Sequence, residues 1–509
     1  MIDIDGTALD AAQVVAVARE HVPVALTEAA VAAIARARER VEELAASDLA
    51  VYGISTGFGA LATRHIPPAD RARLQLSLIR SHAAGTGPEV EREVVRAMML
   101  LRLRTMATGR TGVRPQTAQA LAGLLNAGLT PLVPEYGSLG CSGDLAPLAH
   151  VALVLLGEGW VRDRAGELRP AAQALAGADL EPITLVEKEG LALVNGTDGM
   201  LGMLVLACHD LADLLKHADL AAAMSIEALL GTDRVFAADL AALRPHPGQA
   251  DSTANLRTLL AGSPIVASHA GPEDPRVQDA YSLRCAPAVA GAARDTVTHA
   301  RTVAGRELAA AIDNPVVLAD GRIESNGNFH GAPVAYALDF LAIAAADVAS
   351  ISERRTDRML DRGRSGLPAF LADDPGVDSG YMIAQYTQAG IVSELKRLAA
   401  PASVDSIPSS AMQEDHVSMG WAAARKLRRS VDGLTRVVAI ELLTAARALD
   451  LRAPLRPAPG TGAALAALRR HVPGPGPDRY LSADIEATVA AVRSGELLDA
   501  VQTVVGALK

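Results

Sequence analysis

The sequence predicts a mainly α-helical protein: a long central helix bundle, a smaller N-terminal region and a short C-terminal cap. Half of the 509 residues are hydrophobic but only 3% are aromatic. Alanine and branched aliphatics must therefore fill the core, and alanine- and leucine-rich composition favours helix. Long alanine-rich stretches recur at roughly 198–230, 289–312, 331–360, 382–400 and 415–449. Several, notably VAYALDFLAIAAADVASI, are apolar nearly all round. Such helices belong in the middle of a bundle or at a subunit interface.

The elements follow in order. Residues 27–46 read as an amphipathic helix with Thr27 as N-cap. Residues 51–59 (VYGISTGFG) break the pattern and read as strand or loop. Residues 89–107 and 114–127 are helical, the second ending at Gly128. The glycine-dense stretch 134–144 is unlike any regular element. A helix should follow it, with Pro147 tolerated in the first turn. Two hairpins are expected, one turning near Ala165-Gly166 and one at Asp320-Gly321, the latter a type I′ signal. PLRPAPGTG (454–462) reads as a linker before a terminal cap. The expected division is 1–110, 111–453 and 454–509.

Composition excludes several functions. Fifty-eight acidic against 48 basic residues leave a net charge of −10. There is no basic footprint for nucleic acid. The three cysteines, Cys141, Cys208 and Cys285, form no CxxC. Neither a zinc ribbon nor a disulfide scaffold is expected. The start MIDIDGTALD lacks the apolar core of a signal peptide. Apolar runs such as Val151 to Leu156 and Met200 to Cys208 are too short to span a bilayer. The expected location is cytoplasmic, with no membrane partner.

Familiar motifs can be set aside. Gly57 to Ala62 fits a loose G-x-G-x-x-A, but no acidic residue lies about twenty positions on. There is no Walker A and no HExxH. Glu414, Asp415 and His416 are adjacent, so on a helix they would diverge, and no metal is expected. None of the five lysines sits in a glycine- or serine-rich cradle, so a pyridoxal Schiff base is poorly supported. The charged run RRTDRMLDRGR (354–364) reads as a solvated or intersubunit loop.

Five segments are wrong for pure scaffold: VYGISTGFG, GSLGCSGDLAPLAH (137–150), NGTDG (195–199), VQDAYSLRCAP (277–287) with SNGNFHG (325–331), and SSAMQEDHVSMG (409–420). GSLGCSGDLAPLAH admits three readings. Cys141 or Ser142 could be a nucleophile with His150 as base, although His150 should point along its helix rather than back at the loop. The glycines could be a structural turn. Or the chemistry could be in the backbone. The amide nitrogen of Gly143 can attack the carbonyl carbon of Cys141, an approach that only glycine allows. Ser142 can then lose its hydroxyl as water. The product is a 4-methylidene-imidazol-5-one ring (MIO), a protein-derived electrophile that needs no external cofactor.

From about Val51 to Gly420 the five segments, in order, resemble the aromatic amino-acid ammonia-lyases, and most closely the histidine-specific branch. The resemblance implies an almost all-helical homotetramer whose active sites draw on more than one chain. It implies an MIO ring formed by a Cys141–Gly143 cross-link around a dehydrated Ser142. The family's first tripeptide residue is usually alanine; here it is Cys141. Tyr52 matches an active-site tyrosine, and His82 in RSHAAG a substrate-side histidine. Asn195 matches the asparagine near ring and substrate. Gln278, Tyr281 and Arg284 match a glutamine, the catalytic tyrosine and the arginine that holds the carboxylate. Phe329 matches an aromatic beside the ring. Glu414 matches the acid that separates histidine-specific members from those acting on phenylalanine or tyrosine. The implied substrate is L-histidine and the implied products are trans-urocanate and ammonia.

The chemistry suits these groups. The β C–H bond is barely acidic and the amine leaves poorly, so an electrophile must bond the amine while a base takes the proton. Free tyrosine titrates near 10, so a tyrosine base needs neighbouring positive charge or hydrogen bonds. Arg284 offers such charge, and a fork for the substrate carboxylate. Glu414 can accept from an imidazole N–H, whereas a phenyl ring would strand it in an apolar pocket. The competing readings are a lyase or 2,3-aminomutase for another aromatic amino acid, a hydrolase using Cys141 and His150, and an inactive scaffold.

Overall fold

The computed structural model describes residues 1–47, 51–141, 143–271, 274 and 276–509. The chain is mainly helical and forms two compact units. The first comprises 1–209, 300–339 and 401–425; the second comprises 210–299, 340–400 and 426–509. The five long helices of the sequence are present as Asp198–Ala228, Ala286–Ala309, Ala332–Leu360, Met382–Leu398 and Gly420–Asp450.

In the first unit a parallel strand pair, Ile2–Ile4 with Val24–Leu26, packs on the helices Arg92–Ala107 and Pro115–Asn126, and the helices Ala11–Arg19 and Glu28–Ala45 follow the two strands in sequence. Thr27 caps the second of these, its hydroxyl accepting from the Ala30 amide. The helix Arg92–Ala107 is buried along its whole length from Val94. That run includes three arginines, so each guanidinium must find acceptors indoors. Arg96 donates to the carbonyls of Val17 and Leu125. Arg104 donates to those of Thr7 and Ala309. Arg102 donates to Asn195 O at 2.5 Å and to Ile312 O at 2.8 Å. These buried forks tie distant backbone segments to one rigid helix, and one of the segments carries a candidate site residue.

Both expected hairpins exist. Trp160–Arg162 pairs with Leu168–Pro170, and Val316–Val317 pairs with Ile323–Glu324. The second does not turn by a two-residue type I′ loop. Leu318 N donates to Arg322 O, leaving Ala319, Asp320 and Gly321 as the loop. Gly321 is left-handed at φ +82, whereas Asp320 is not among the residues with positive φ. A three-residue loop needs only one left-handed position, and glycine takes it.

In the second unit, residues 454–462 are not a free linker. Glu227 is buried, and its carboxylate accepts from Ser263 Oγ, the Ala458 amide and Thr461 Oγ1. This anchors the start of the helix Pro459–Leu468. The charged run 354–364 is not a loop either. Its first part continues the helix Ala332–Leu360, and Arg355 within it is buried. Two helical stretches, Glu189–Ala228 and Ala332–Leu360, are long and apolar enough to cross a membrane by length and composition. Their apolar windows are 100% and 61% buried within the chain, as core helices are.

Candidate active site

Four of the five unusual segments meet in the first unit, and the backbone does most of the joining. Within 137–144, Gly140 O accepts from Gly331 N at 3.1 Å and from Ser418 Oγ at 2.5 Å. Leu139 O accepts from Met419 N. Asp144 N donates to Gly196 O at 2.7 Å. The tripeptide segment is thus pinned by SNGNFHG, by the end of QEDHVSMG and by NGTDG. Ser142 lies outside the described residues.

Gly143 has φ +83, and a Cβ there would sit 2.2 Å from Gly196 O. No side chain fits. Only glycine can stand here, as it must also at the third place of a tripeptide that cyclises through its amide nitrogen. Asp144 follows, fully buried, accepting from the amides of Gly199 and Met200 and from Ser138 Oγ. Burial pushes its pKa up to about 7, against the pull of those donors. The sequence reading did not single out Asp144, Gly196, Arg102 or Asn314. Asp144 and Gly196 sit inside motifs already quoted. Arg102 and Asn314 left no signal, because their roles depend on partners far away in the chain.

Asn195 caps the helix Glu189–Val194. Its carbonyl takes the Arg102 fork, and its Nδ2 donates to Asn314 O at 2.9 Å. Its Oδ1 is buried with no hydrogen-bond partner among the described residues. A buried acceptor held by both neighbouring bonds and left unmatched fits a group supplied by ligand or prosthetic ring.

A cavity of about 820 Å³ opens beside these residues, lined by Tyr52, His82, Asn195 and Glu414. The helix Pro68–His82 gives it one face, since Leu74, Ser77, Leu78, Ser81 and His82 recur every three or four residues. The His82 Nδ1 lies 3.1 Å from Ser81 Oγ, and burial holds the imidazole below its usual pKa. Tyr52 stands edge-on to Phe58 with centroids 6.4 Å apart, and its hydroxyl accepts from Gly59 N at 3.3 Å. Burial raises the Tyr52 phenol pKa, keeping it protonated.

Glu414 is not on a helix. The helix assigned to 415–449 begins only at Gly420, and 409–414 form a tight loop. Ser409 and Glu414 exchange backbone hydrogen bonds of 2.8 and 3.2 Å. Ser410, Ala411 and Met412 have positive φ, which ends any helical run. Glu414 Oε2 accepts from Ser409 Oγ at 2.8 Å and lies 3.6 Å from Cys141 Sγ. The loop thereby turns the carboxylate toward the tripeptide.

Gln278, Tyr281 and Arg284 belong to the second unit and form their own cluster. Arg284 Nη2 donates to Gln278 Oε1 at 2.5 Å, and its guanidinium stacks 4.7 Å from the Tyr281 ring centroid. Tyr281 is 72% exposed. The described lining of the first-unit cavity includes none of these three, nor Phe329. Phe329 is half-buried in the loop whose Gly331 bonds Gly140. His150 accepts from the Gly85 amide at 3.1 Å through Nε2. It is engaged away from Cys141, and the cysteine-hydrolase reading loses its base.

A helical scaffold with a tightly cradled Gly143, and with Asn195 and Glu414 lining one cavity, fits a lyase of amino acids. Residues 9–470 match the family described as aromatic amino acid lyase, and the chain belongs to that family. It is 64% identical over 98% of both chains to the histidine ammonia-lyase of Streptomyces coelicolor. Among solved structures it is similar to the tyrosine aminomutase of Streptomyces globisporus, at TM-score 0.94 and 38% identity over 100% of both chains. The histidine ammonia-lyase of Trypanosoma cruzi superposes at TM-score 0.91, with 39% identity over 99% of this chain and 95% of that one. The fold is common to both chemistries, so the side chains of the site must decide between them.

Proposed function

We propose that the chain eliminates ammonia from L-histidine to give trans-urocanate, the first step of histidine degradation. The observation that carries this reading is Glu414: an acid in the cavity of Tyr52, His82 and Asn195, 3.6 Å from the tripeptide's first side chain. Glu414 accepts the imidazole N–H of the substrate, and His82 packs against the same ring. A phenyl ring would leave that carboxylate unpaired, which is the basis of discrimination.

The MIO ring from Cys141, Ser142 and Gly143 supplies the electrophile that bonds the substrate amine. Gly143 fits this role through its contact with Gly196, and Asn195 through its unmatched Oδ1. Phe329, in the loop whose Gly331 bonds Gly140, would lie beside the ring. Tyr281 removes the β-proton, Arg284 holds the substrate carboxylate, and Gln278 orients Arg284. Tyr52, protonated by burial, donates to the reacting amine. The working enzyme is a cytoplasmic homotetramer in which Tyr281 and its neighbours complete the site of another chain.

The test follows products. Purified protein is given histidine, phenylalanine and tyrosine in turn, and both the unsaturated acid and the β-amino acid are quantified. Preferential urocanate formation is expected, with an intact mass short of two waters. A β-amino acid as main product would move the assignment to an aminomutase.

A further inference from the structure

The charged run 354–364 should be solvated, yet Arg355 and Glu441 are 2% and 0% exposed. Both lie in the second unit, on the helices Ala332–Leu360 and Gly420–Asp450. Arg355 donates to Glu441 through Nε at 2.5 Å and Nη2 at 2.8 Å. The same carboxylate accepts from Ser225 Oγ at 2.7 Å and Ser352 Oγ at 2.6 Å. Four donors on one carboxylate lock the guanidinium plane. The remaining arm, Nη1, donates to the carbonyl of Ser282 at 3.3 Å.

Ser282 directly follows Tyr281 in the helix Tyr281–Arg284. That helix has only four residues, and Leu283 is its buried one. So short a helix has too few internal bonds to hold itself. Its direction is set from outside. At its front, Asp279 accepts from the Thr232 amide at 2.7 Å, and Arg284 returns to Asp279 O at 3.0 Å. At its centre the outside donor is Arg355. A buried ion pair is no better for stability than packed apolar groups. Its third bond goes to the backbone beside a tyrosine, so whatever fixes the guanidinium also fixes that backbone.

We propose that Arg355 is a positioning residue for Tyr281, acting through the Ser282 carbonyl, with Glu441 fixing the guanidinium. The inference rests on the reading of Tyr281 as the base. A base displaced by about 1 Å loses on the order of a hundredfold in rate. Arg355 does not touch substrate, so binding should change little.

Arg355→Lys keeps a charge against Glu441 but cannot also reach Ser282. The expected variant has the wild-type two-water deficit against its own sequence mass, a wild-type melting temperature, KM for histidine within about twofold, and kcat lower by about tenfold or more. Its isotope effect with β-deuterated histidine rises, because proton removal has slowed relative to the other steps. Ser225→Ala removes one of the four donors on Glu441 and should lower kcat by less than Arg355→Lys does. If the lysine variant does not fold, the neutral pair Arg355→Gln with Glu441→Gln takes the same measurements. A folded variant with wild-type kcat and isotope effect overturns the proposal. Tyr281→Phe is run alongside. Full turnover there removes the base reading itself, whereas an inactive Tyr281→Phe beside a normal Arg355→Lys removes only the positioning.

Discussion

The Cys141 thiol lies 3.6 Å from the Glu414 carboxylate, although 273 residues separate them in sequence. The tripeptide proposed to form the electrophile and the acid proposed to read the substrate ring therefore lie side by side. A change at either can be felt at the other.

Glu414→Gln retains an amide that can still reach an imidazole but removes the charge. Catalytic efficiency on histidine should fall by roughly 1.5–3 kcal/mol, the worth of a hydrogen bond to a charged group. Efficiency on phenylalanine or tyrosine should fall less, or rise to a detectable level. Kinetics of both proteins on the three substrates give the comparison, and an unchanged variant would remove Glu414 from substrate recognition.

Ser142→Ala has no hydroxyl to eliminate. The intact mass should lack the second water loss, and lyase activity should drop by orders of magnitude in a folded protein. Cys141→Ala should mature normally, since only the backbone of that residue enters the ring. It loses the weak contact of its thiol with Glu414, so activity within a few-fold of wild type is expected.

Gly143→Ala places a Cβ 2.2 Å from Gly196 O at a backbone φ of +83. Clash and strain at such a position cost about 1–3 kcal/mol or more. The loop should be displaced, with no water loss in the mass spectrum and a lowered melting temperature. A fully mature alanine variant would contradict the cradle geometry.

His217 is buried, its Nδ1 bonded to Asp213 O at 2.9 Å and its Nε2 with no partner among the described residues. Burial lowers its pKa from 6.5 to about 4. The unfolded chain then binds a proton that the native state refuses. Its stabilising contribution is present above about pH 6.5 and is lost as the pH falls toward 4. Denaturant titrations of wild type and His217→Leu across that window should show the wild type losing stability relative to the variant. Parallel curves would contradict it.

Mixing Ser142→Ala with Tyr281→Phe tests whether sites are shared between chains. Each alone should be inactive. Co-assembled mixtures should recover part of the activity if Tyr281 serves another chain's tripeptide. No recovery after verified subunit exchange would place a complete site in each chain.

The sequence by itself determined the helical architecture, because apolar periodicity and alanine content act over one helix at a time. It also marked Cys141-Ser142-Gly143 as the tripeptide proposed to cyclise, since only glycine in third place lets the backbone nitrogen approach. Tertiary structure decided what depends on distant partners. Glu414 leaves the helical register for a loop held by Ser409, and Gly143 meets Gly196. Residues 454–462 are tied down by Glu227, and Arg355 is drawn from an apparently solvated run into a pair with Glu441. Local pattern reports which face of an element is apolar. It cannot report which buried carbonyl or carboxylate, two hundred residues away, waits on the other side.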